Sequence, residues 1–286
     1  MPMLEANGTL LHYHVAGKGV PIVCIHPPLL NRGAFRYQEA ELADRFRIVT
    51  FDLRGHGRSA PSPVPLTYTL LAEDLRQVCI GLGLNKPYLC GYSTGAGLVL
   101  EAMLTDPDRY AGGILISGMS ELTGWYNRAR VRLAKLLTSF GAKRLMNAAL
   151  SAGNADSLTT FGNLFRGAQP GQVRAWKQYF AASMAYSCTD RLGEIKQPML
   201  LLYGEKDRSF RRYARLLHER LPDSQLKWIE HGTHQIPIKQ PLSVNAHIRD
   251  WLIGLEKPAD AQEEDIRGLA APAVWEHAEE REQPLQ

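Results

Sequence analysis

Cys90-Gly91-Tyr92-Ser93-Thr94-Gly95 is the stretch whose reading decides the fold. Before it, Pro87-Tyr88-Leu89 runs apolar into Cys90 and reads as the end of a buried strand. After it, Ala96-Gly97-Leu98-Val99-Leu100 has the composition of a helix. Residues 91–95 fit G-x-S-x-G, the pattern of a strand that turns sharply into a helix with serine at the apex. Such a turn forces its central residue into strained backbone space. It leaves no room for side chains at the flanking positions, which is why glycine stands there. The Ser93 hydroxyl is then thrust out at the end of the sheet. The helix N-terminus beneath it offers free N–H groups to a developing negative charge. An incidental serine in a glycine-rich turn is the competing reading, and the flanking strand and helix weigh against it.

Outward from this turn, strands and helices alternate. Residues 8–16 alternate loosely, with Leu11, Tyr13 and Val15 opposite His12 and His14, and predict an antiparallel strand whose two histidines lie at the surface. Residues 21–25 predict a short buried strand leading into His26-Pro27-Pro28-Leu29-Leu30. Residues 47–52 predict a third, leading into Asp52-Leu53-Arg54-Gly55-His56-Gly57-Arg58-Ser59. Residues 68–84 have helical periodicity, with Leu71, Leu75 and Val78 on one side. Strands are predicted at 113–117, 199–203 and 226–229, and helices at 211–221 and 241–255. This order predicts an α/β fold, a mostly parallel doubly wound sheet covered on both faces. Ligands in such sheets sit beyond the carboxyl ends of the strands.

The alternation breaks at 119–189, which has helical stretches, among them 126–150 and 173–184, and no convincing strand. A segment of that length is too long to be a connecting loop and is expected to form a helical cap over the strand ends. The predicted organisation is therefore a core in two parts, residues 1–118 and 190–255, with the cap at 119–189 between them. The polar residues 256–286 are expected to form a mobile tail.

Composition narrows the class. With 45% hydrophobic and 22% charged residues, the 286-residue chain reads as an ordinary soluble globular protein with a sizeable core. No run is long enough for a membrane span, so no stable membrane insertion is expected. Met1-Pro2-Met3-Leu4-Glu5 lacks the features of a signal peptide. The cysteines, at 24, 79, 90 and 188, show no close pairing, which fits a reducing, cytoplasmic location. A net charge of +4 is too small to argue for nucleic acid. Charge is uneven, however: residues 121–189 hold nine basic and two acidic residues, and residues 256–286 hold three and nine. Both read first as solvated surfaces; the functional alternative is that the basic segment attracts an anionic substrate, a phospholipid surface or the acidic tail.

A serine hydroxyl is a poor nucleophile near neutral pH and needs a base, itself oriented by a third group. Those partners should lie at later strand ends. Leu202-Tyr203-Gly204-Glu205-Lys206-Asp207 ends a strand and carries an acid just beyond it. Asp207 is the first candidate and Glu205 the second; a helix N-cap is the plainer role for either. Trp228-Ile229-Glu230-His231-Gly232-Thr233-His234 places two histidines after the next strand, His234 the first candidate and His231 the second. The order Ser, Asp, His, each at a strand's carboxyl end, makes the three signals reinforce one another.

On these residues the chain resembles an α/β-hydrolase of the capped branch, which holds many small-ester hydrolases, lactonases and carbon–carbon bond hydrolases. The resemblance runs from about residue 8 to residue 255. It rests on Ile25-His26, the run from Asp52 to Ser59, the serine turn, Gly204-Glu205-Lys206-Asp207, and Gly232-Thr233-His234 with Pro241 seven residues on. It implies Ser93 as nucleophile, His234 as base and Asp207 as orienting acid, with no metal or organic cofactor. It makes the Asp52–Ser59 run a structural turn, so His56 has no catalytic assignment. One departure stands out. The family usually has His-Gly after the strand ending at Ile25, and a following backbone N–H helps form the oxyanion hole. Here that donor position falls on Pro28, which has no N–H. Leu29 N–H is the substitute, with Thr94 N–H as the other donor.

The expected activity is hydrolysis of a small carboxylic ester, thioester or lactone through an acyl-enzyme on Ser93. A small-molecule acyl substrate is the expected partner. His26, Trp125 and Tyr126 are the expected substrate contacts, with Phe161, Phe165, Trp176 and Tyr179 available to line or pack the cap. The rival from another class is a ligand sensor or signalling protein with a slow triad. A carbon–carbon bond hydrolase or cofactor-free haloperoxidase would share the same residues.

Overall fold

The structure, a computed structural model, describes residues 2–139 and 143–256. It divides into two compact units, Met1–Arg249 and Asp250–Gln286. Of the second unit, only the end of the last helix falls among the described residues; the expected tail lies outside them from residue 257 onward.

Among the described residues, eight strands form one sheet in the order β1-β2-β4-β3-β5-β6-β7-β8. These are β1 (Met3–Ala6), β2 (Thr9–Ala16), β3 (Pro21–Ile25), β4 (Arg47–Phe51), β5 (Tyr88–Tyr92), β6 (Gly112–Ile116), β7 (Met199–Gly204) and β8 (Ser224–Ile229). From β4 to β8 every pairing is parallel, while β1 and β2 pair antiparallel. The α-helices are α1 (Arg36–Leu42), α2 (Tyr68–Gly81), α3 (Gly95–Thr105), α4 (Trp125–Ser139), α5 (Lys143–Asn154), α6 (Leu158–Ala168), α7 (Val173–Ala185), α8 (Arg211–Arg220), α9 (Ile236–Lys239) and α10 (Pro241–Glu256).

The central strands are apolar throughout because both faces are covered. Val23, Leu89, Leu115 and Leu201 are fully buried in one core with Leu71, Leu75 and Val78 of α2 and Leu98 and Val99 of α3. Burying one such side chain contributes on the order of 2 kcal/mol, so this column fixes the register that brings the strand ends level. β5 lies between β3 and β6, with Ile25 opposite Gly91 and Tyr92 opposite Ile116.

Strand β1 escaped the sequence reading. The signal was Asn7-Gly8, both at positive φ, a two-residue hairpin loop that suits the twist of the flanking strands. Missing it also misplaced His12. That ring is not at the surface but 4% exposed, and its Nδ1 lies 2.8 Å from Asp52 Oδ2. Asp52 is nearly fully buried and organises the turn after β4. It accepts the backbone N–H groups of Arg32 at 2.8 Å and Arg58 at 3.0 Å. A buried carboxylate needs such donors, and His12 supplies one. His14, by contrast, is partly exposed, near Glu39.

Between β6 and β7 the chain leaves the sheet, and helices α4 to α7 fall there. Within residues 126–150, the described residues belong to α4 and α5. The excursion closes on itself: Glu121 and Ser187 form an isolated antiparallel bridge, and Cys188 N–H donates to Ser120 O at 3.1 Å. The four cysteines are free and buried. No described helix is long and apolar enough to cross a membrane.

Candidate active site

Ser93 sits between β5 and α3 with φ at +55°, the left-handed region that a non-glycine residue adopts only when its surroundings impose it. Its N–H donates to Ile116 O at 2.8 Å, which fixes the turn to β6. A Cβ on Gly95 would lie 2.3 Å from Ile25 O, so the first turn of α3 presses directly on the end of β3. The serine Oγ lies 2.9 Å from His234 Nε2.

His234 Nδ1 lies 2.7 Å from Asp207 Oδ2. The loops carrying these residues follow β8 and β7, and they are packed backbone to backbone. A Cβ on Gly204 would lie 2.4 Å from the Gly232 carbonyl carbon, and Lys206 N–H donates to Gly232 O at 2.7 Å. Ser209 Oγ donates to the other carboxylate oxygen, Asp207 Oδ1, at 2.9 Å. Asp207 itself is 8% exposed. With the proton on Nδ1 facing the carboxylate, the Nε2 lone pair faces the serine hydroxyl. The arrangement can take a proton from Ser93 and hold the resulting imidazolium against a carboxylate. Glu205 and His231 are placed elsewhere: His231 N–H donates to Glu205 Oε2 at 3.2 Å, and both side chains are exposed.

Two supporting residues were not anticipated from sequence. Ser117, just past β6 at φ +48°, donates from Oγ to His234 O at 3.0 Å and so holds the histidine backbone. The Phe210 ring lies 4.2 Å from the His234 ring, centre to centre. A polar residue immediately beyond a central strand was the available signal for Ser117.

The serine opens into a cavity of about 250 Å³ between the strand ends and α4, α5 and α7. Met119, Leu122, Val131, Leu150, Phe180 and Phe210 give it apolar walls, and Thr94, Asn127, Arg130, Asn154 and Gln235 add polar lining outside the serine and histidine. Pro27, Pro28 and Leu30 also line it. Leu29 stands between them at φ +66°, its side chain fully buried with Met146, Trp176 and Phe180. That packing holds an otherwise unfavourable backbone conformation. Leu30 N–H turns back to Pro27 O at 3.4 Å, whereas Leu29 N–H and Thr94 N–H donate to no other described protein group. Both expected oxyanion donors are thus uncommitted. Among the described residues, no group of three His, Cys, Asp or Glu is placed to hold a metal ion.

The expected substrate contacts need correction. His26 does not line the cavity. Its ring is fully buried, Nδ1–H donating to Pro27 O at 2.8 Å and Nε2 accepting Leu53 N–H at 3.0 Å. Burial lowers its pKa, the nearby Asp52 carboxylate opposing the shift. Trp125 and Tyr126 lie at the start of α4, 83% and 51% exposed, and do not line the cavity either. The residues of α4 that do are Asn127, Arg130, Val131 and Ala134, one face at helical spacing. Trp176 and Tyr179 are packed in the protein interior, and Phe161 stacks on Phe165 within α6.

Comparison with known proteins bears on the family and the fold. The putative carbamate hydrolase RutD of Azorhizobium caulinodans is 24% identical over 258 residues, 84% of this chain and 94% of the relative. An esterase from Exiguobacterium antarcticum superposes with a TM-score of 0.79 at 21% identity, over 87% of this chain and 98% of that one. The enol-lactonase from Burkholderia xenovorans does so with a TM-score of 0.77 at 19% identity, over 88% and 100%. At those identities the two structures speak for the fold alone. Residues 22–247 match the alpha/beta hydrolase family as a whole. The chain belongs to that family and is an enzyme of the hydrolase type.

Proposed function

We propose that this enzyme cleaves a small carboxylic ester, thioester or lactone through an acyl-enzyme on Ser93. The observation that carries the reading is the unbroken chain from Ser93 Oγ through His234 to Asp207, at 2.9 and 2.7 Å, opening into a largely apolar cavity. Ser93 Oγ attacks the carbonyl carbon as its proton passes to His234 Nε2. The oxyanion of the tetrahedral intermediate takes hydrogen bonds from Thr94 N–H and Leu29 N–H. The bond to the leaving group breaks, and the imidazolium returns the proton to it. Water, deprotonated by His234, then attacks the acyl carbon; Ser93 leaves with the proton and the acid is released. A carbamate carbonyl meets the same attack, and the name of the Azorhizobium relative puts carbamates among the substrates to assay.

The deciding experiment pairs labelling with turnover. A fluorophosphonate probe is expected to modify Ser93, read by peptide mass spectrometry. Ser93→Ala is expected to lower turnover of a short-chain p-nitrophenyl ester on the order of 10⁴-fold with the fold intact by circular dichroism. Unchanged turnover in Ser93→Ala, or labelling elsewhere, would refute the mechanism.

A further inference from the structure

The cavity contains one feature that bare ester hydrolysis does not need: a cation. Among the described residues, Arg130 is the only Lys or Arg that lines the cavity, and no carboxylate lines it. The guanidinium rests 5.6 Å from the centre of the Tyr126 ring, one turn earlier on α4, and no ion pair is recorded for it among the described residues. No acid is close along the chain to neutralise it. Residues 122–155 hold six Lys and Arg and no Asp or Glu. The triad carboxylate is already committed to His234 and Ser209.

The other polar groups of the cap are occupied in holding the wall together. Asn154 Oδ1 accepts Tyr92 O–H at 3.0 Å, and its Nδ2 donates to Leu150 O at 2.9 Å. Asn127 Nδ2 faces Ser209 O and Tyr213 Oη, each at 3.4 Å. Arg130 is left with spare donors, in a cavity whose remaining walls are largely apolar. A guanidinium presents paired N–H groups in a plane, which match the two oxygens of a carboxylate. Arg130 is itself exposed, so water screens that pairing and its effect is modest: selection between a charged and a neutral substrate.

We infer that the substrate carries a second, free carboxylate, and that Arg130 is the residue that selects for it. The enzyme is then a hydrolase of diacid half-esters or of lactones bearing a carboxylate. In the bound state the guanidinium exchanges the Tyr126 ring for the substrate's anion while the far carbonyl meets Ser93. This inference rests on the ester-hydrolase reading of the site. Arg130 is a specificity-determining residue and takes no part in the proton transfers.

Two esters of one chain length separate the charge from the shape: monomethyl glutarate and methyl pentanoate. Wild-type kcat/KM is expected to favour the half-ester by about tenfold. Arg130→Gln is expected to bring the ratio of the two close to one, Arg130→Lys to restore part of it, and Arg130→Glu to invert it. A wild-type ratio near one, or a loss in Arg130→Gln that is equal for both esters, overturns the inference. Binding provides a test that needs no turnover. Ser93→Ala is expected to bind monomethyl glutarate by calorimetry, and the added Arg130→Gln change to weaken that binding about tenfold. Binding that depends on Arg130 without any turnover by wild type sinks the ester-hydrolase reading and leaves the carboxylate site standing. Turnover of methyl pentanoate at Ser93 with binding indifferent to Arg130 sinks the carboxylate site and leaves the hydrolase reading standing.

Discussion

His26 Nε2 accepts the backbone N–H of Leu53 at 3.0 Å, so a buried imidazole ties the Pro27-Pro28-Leu29 loop to the turn that follows β4. Its other nitrogen donates to Pro27 O, inside the same loop. Removing the ring strands a buried donor and a buried acceptor, at about 1–3 kcal/mol for each group. His26→Ala is therefore expected to lower the urea midpoint, equivalent to about 2 kcal/mol or more, and to slow acylation because Leu29 N–H loses its fixed position. Urea melts and fluorophosphonate labelling rates on the same preparation check both effects. A normal midpoint with a normal labelling rate would show that the loop is held by Leu29 packing alone.

Asp207 and Glu205 stand two residues apart and offer a sharp contrast. Asp207 faces His234, whereas Glu205 accepts a backbone N–H at the surface. Asp207→Asn is expected to cut kcat by on the order of 10³–10⁴-fold, since the amide favours the wrong imidazole tautomer. Glu205→Gln is expected to change kcat less than threefold. Steady-state kinetics of the two variants on one ester decides the matter, and a reversed pattern would move the orienting role to Glu205.

His56 gives a stability prediction with a defined sign. Its ring is fully buried beside His26, Nδ1–H donating to Arg54 O at 3.1 Å and Nε2 without a partner among the described residues. Burial, reinforced by His26, pushes its pKa down from 6.5 to about 3. The native state keeps the ring neutral, while the unfolded chain takes up a proton below about pH 6.5. Stability is therefore complete above that pH and falls as pH drops from 6.5 towards 3, by up to about 1.4 kcal/mol per pH unit from this group. His56→Asn, which keeps a donor for Arg54 O, is expected to flatten the pH dependence of the urea midpoint between pH 7 and pH 5. An unchanged slope would assign the acid sensitivity to other groups.

The parts of the molecule legible in sequence are those fixed by local rules. The serine turn announces itself because Gly95 has no space for a Cβ against Ile25 O. Asp207 and His234 could be found because parallel strands deliver their ends to one rim. What stayed hidden depends on how whole elements face one another. On α4, Trp125 and Tyr126 drew attention as large rings, yet the helix turns Asn127, Arg130 and Val131 to the cavity and leaves those rings outside. The inner face of that helix is mixed in character, with Asn127 and Arg130 beside Val131 and Ala134, so apolar residues alone do not mark it. His12 was misread for a related reason: alternation places a side chain on one side of a sheet, but only the tertiary fold supplies the Asp52 that draws it inward. The neighbour that fixes Ser117 against the histidine loop is likewise distant in sequence.

The bridge between Glu121 and Ser187 brings the two ends of the excursion together at a single doorway, reinforced by Ser120 Oγ and Thr189 Oγ1 at 2.8 Å. A module joined to its scaffold through adjacent ends can be grafted as a cassette without disturbing the strands on either side. Under the proposed function, the cavity wall supplied by α4 and α5 is joined to the sheet apart from the loops that carry Ser93, Asp207 and His234, so substrate choice and proton transfer would be free to diverge independently.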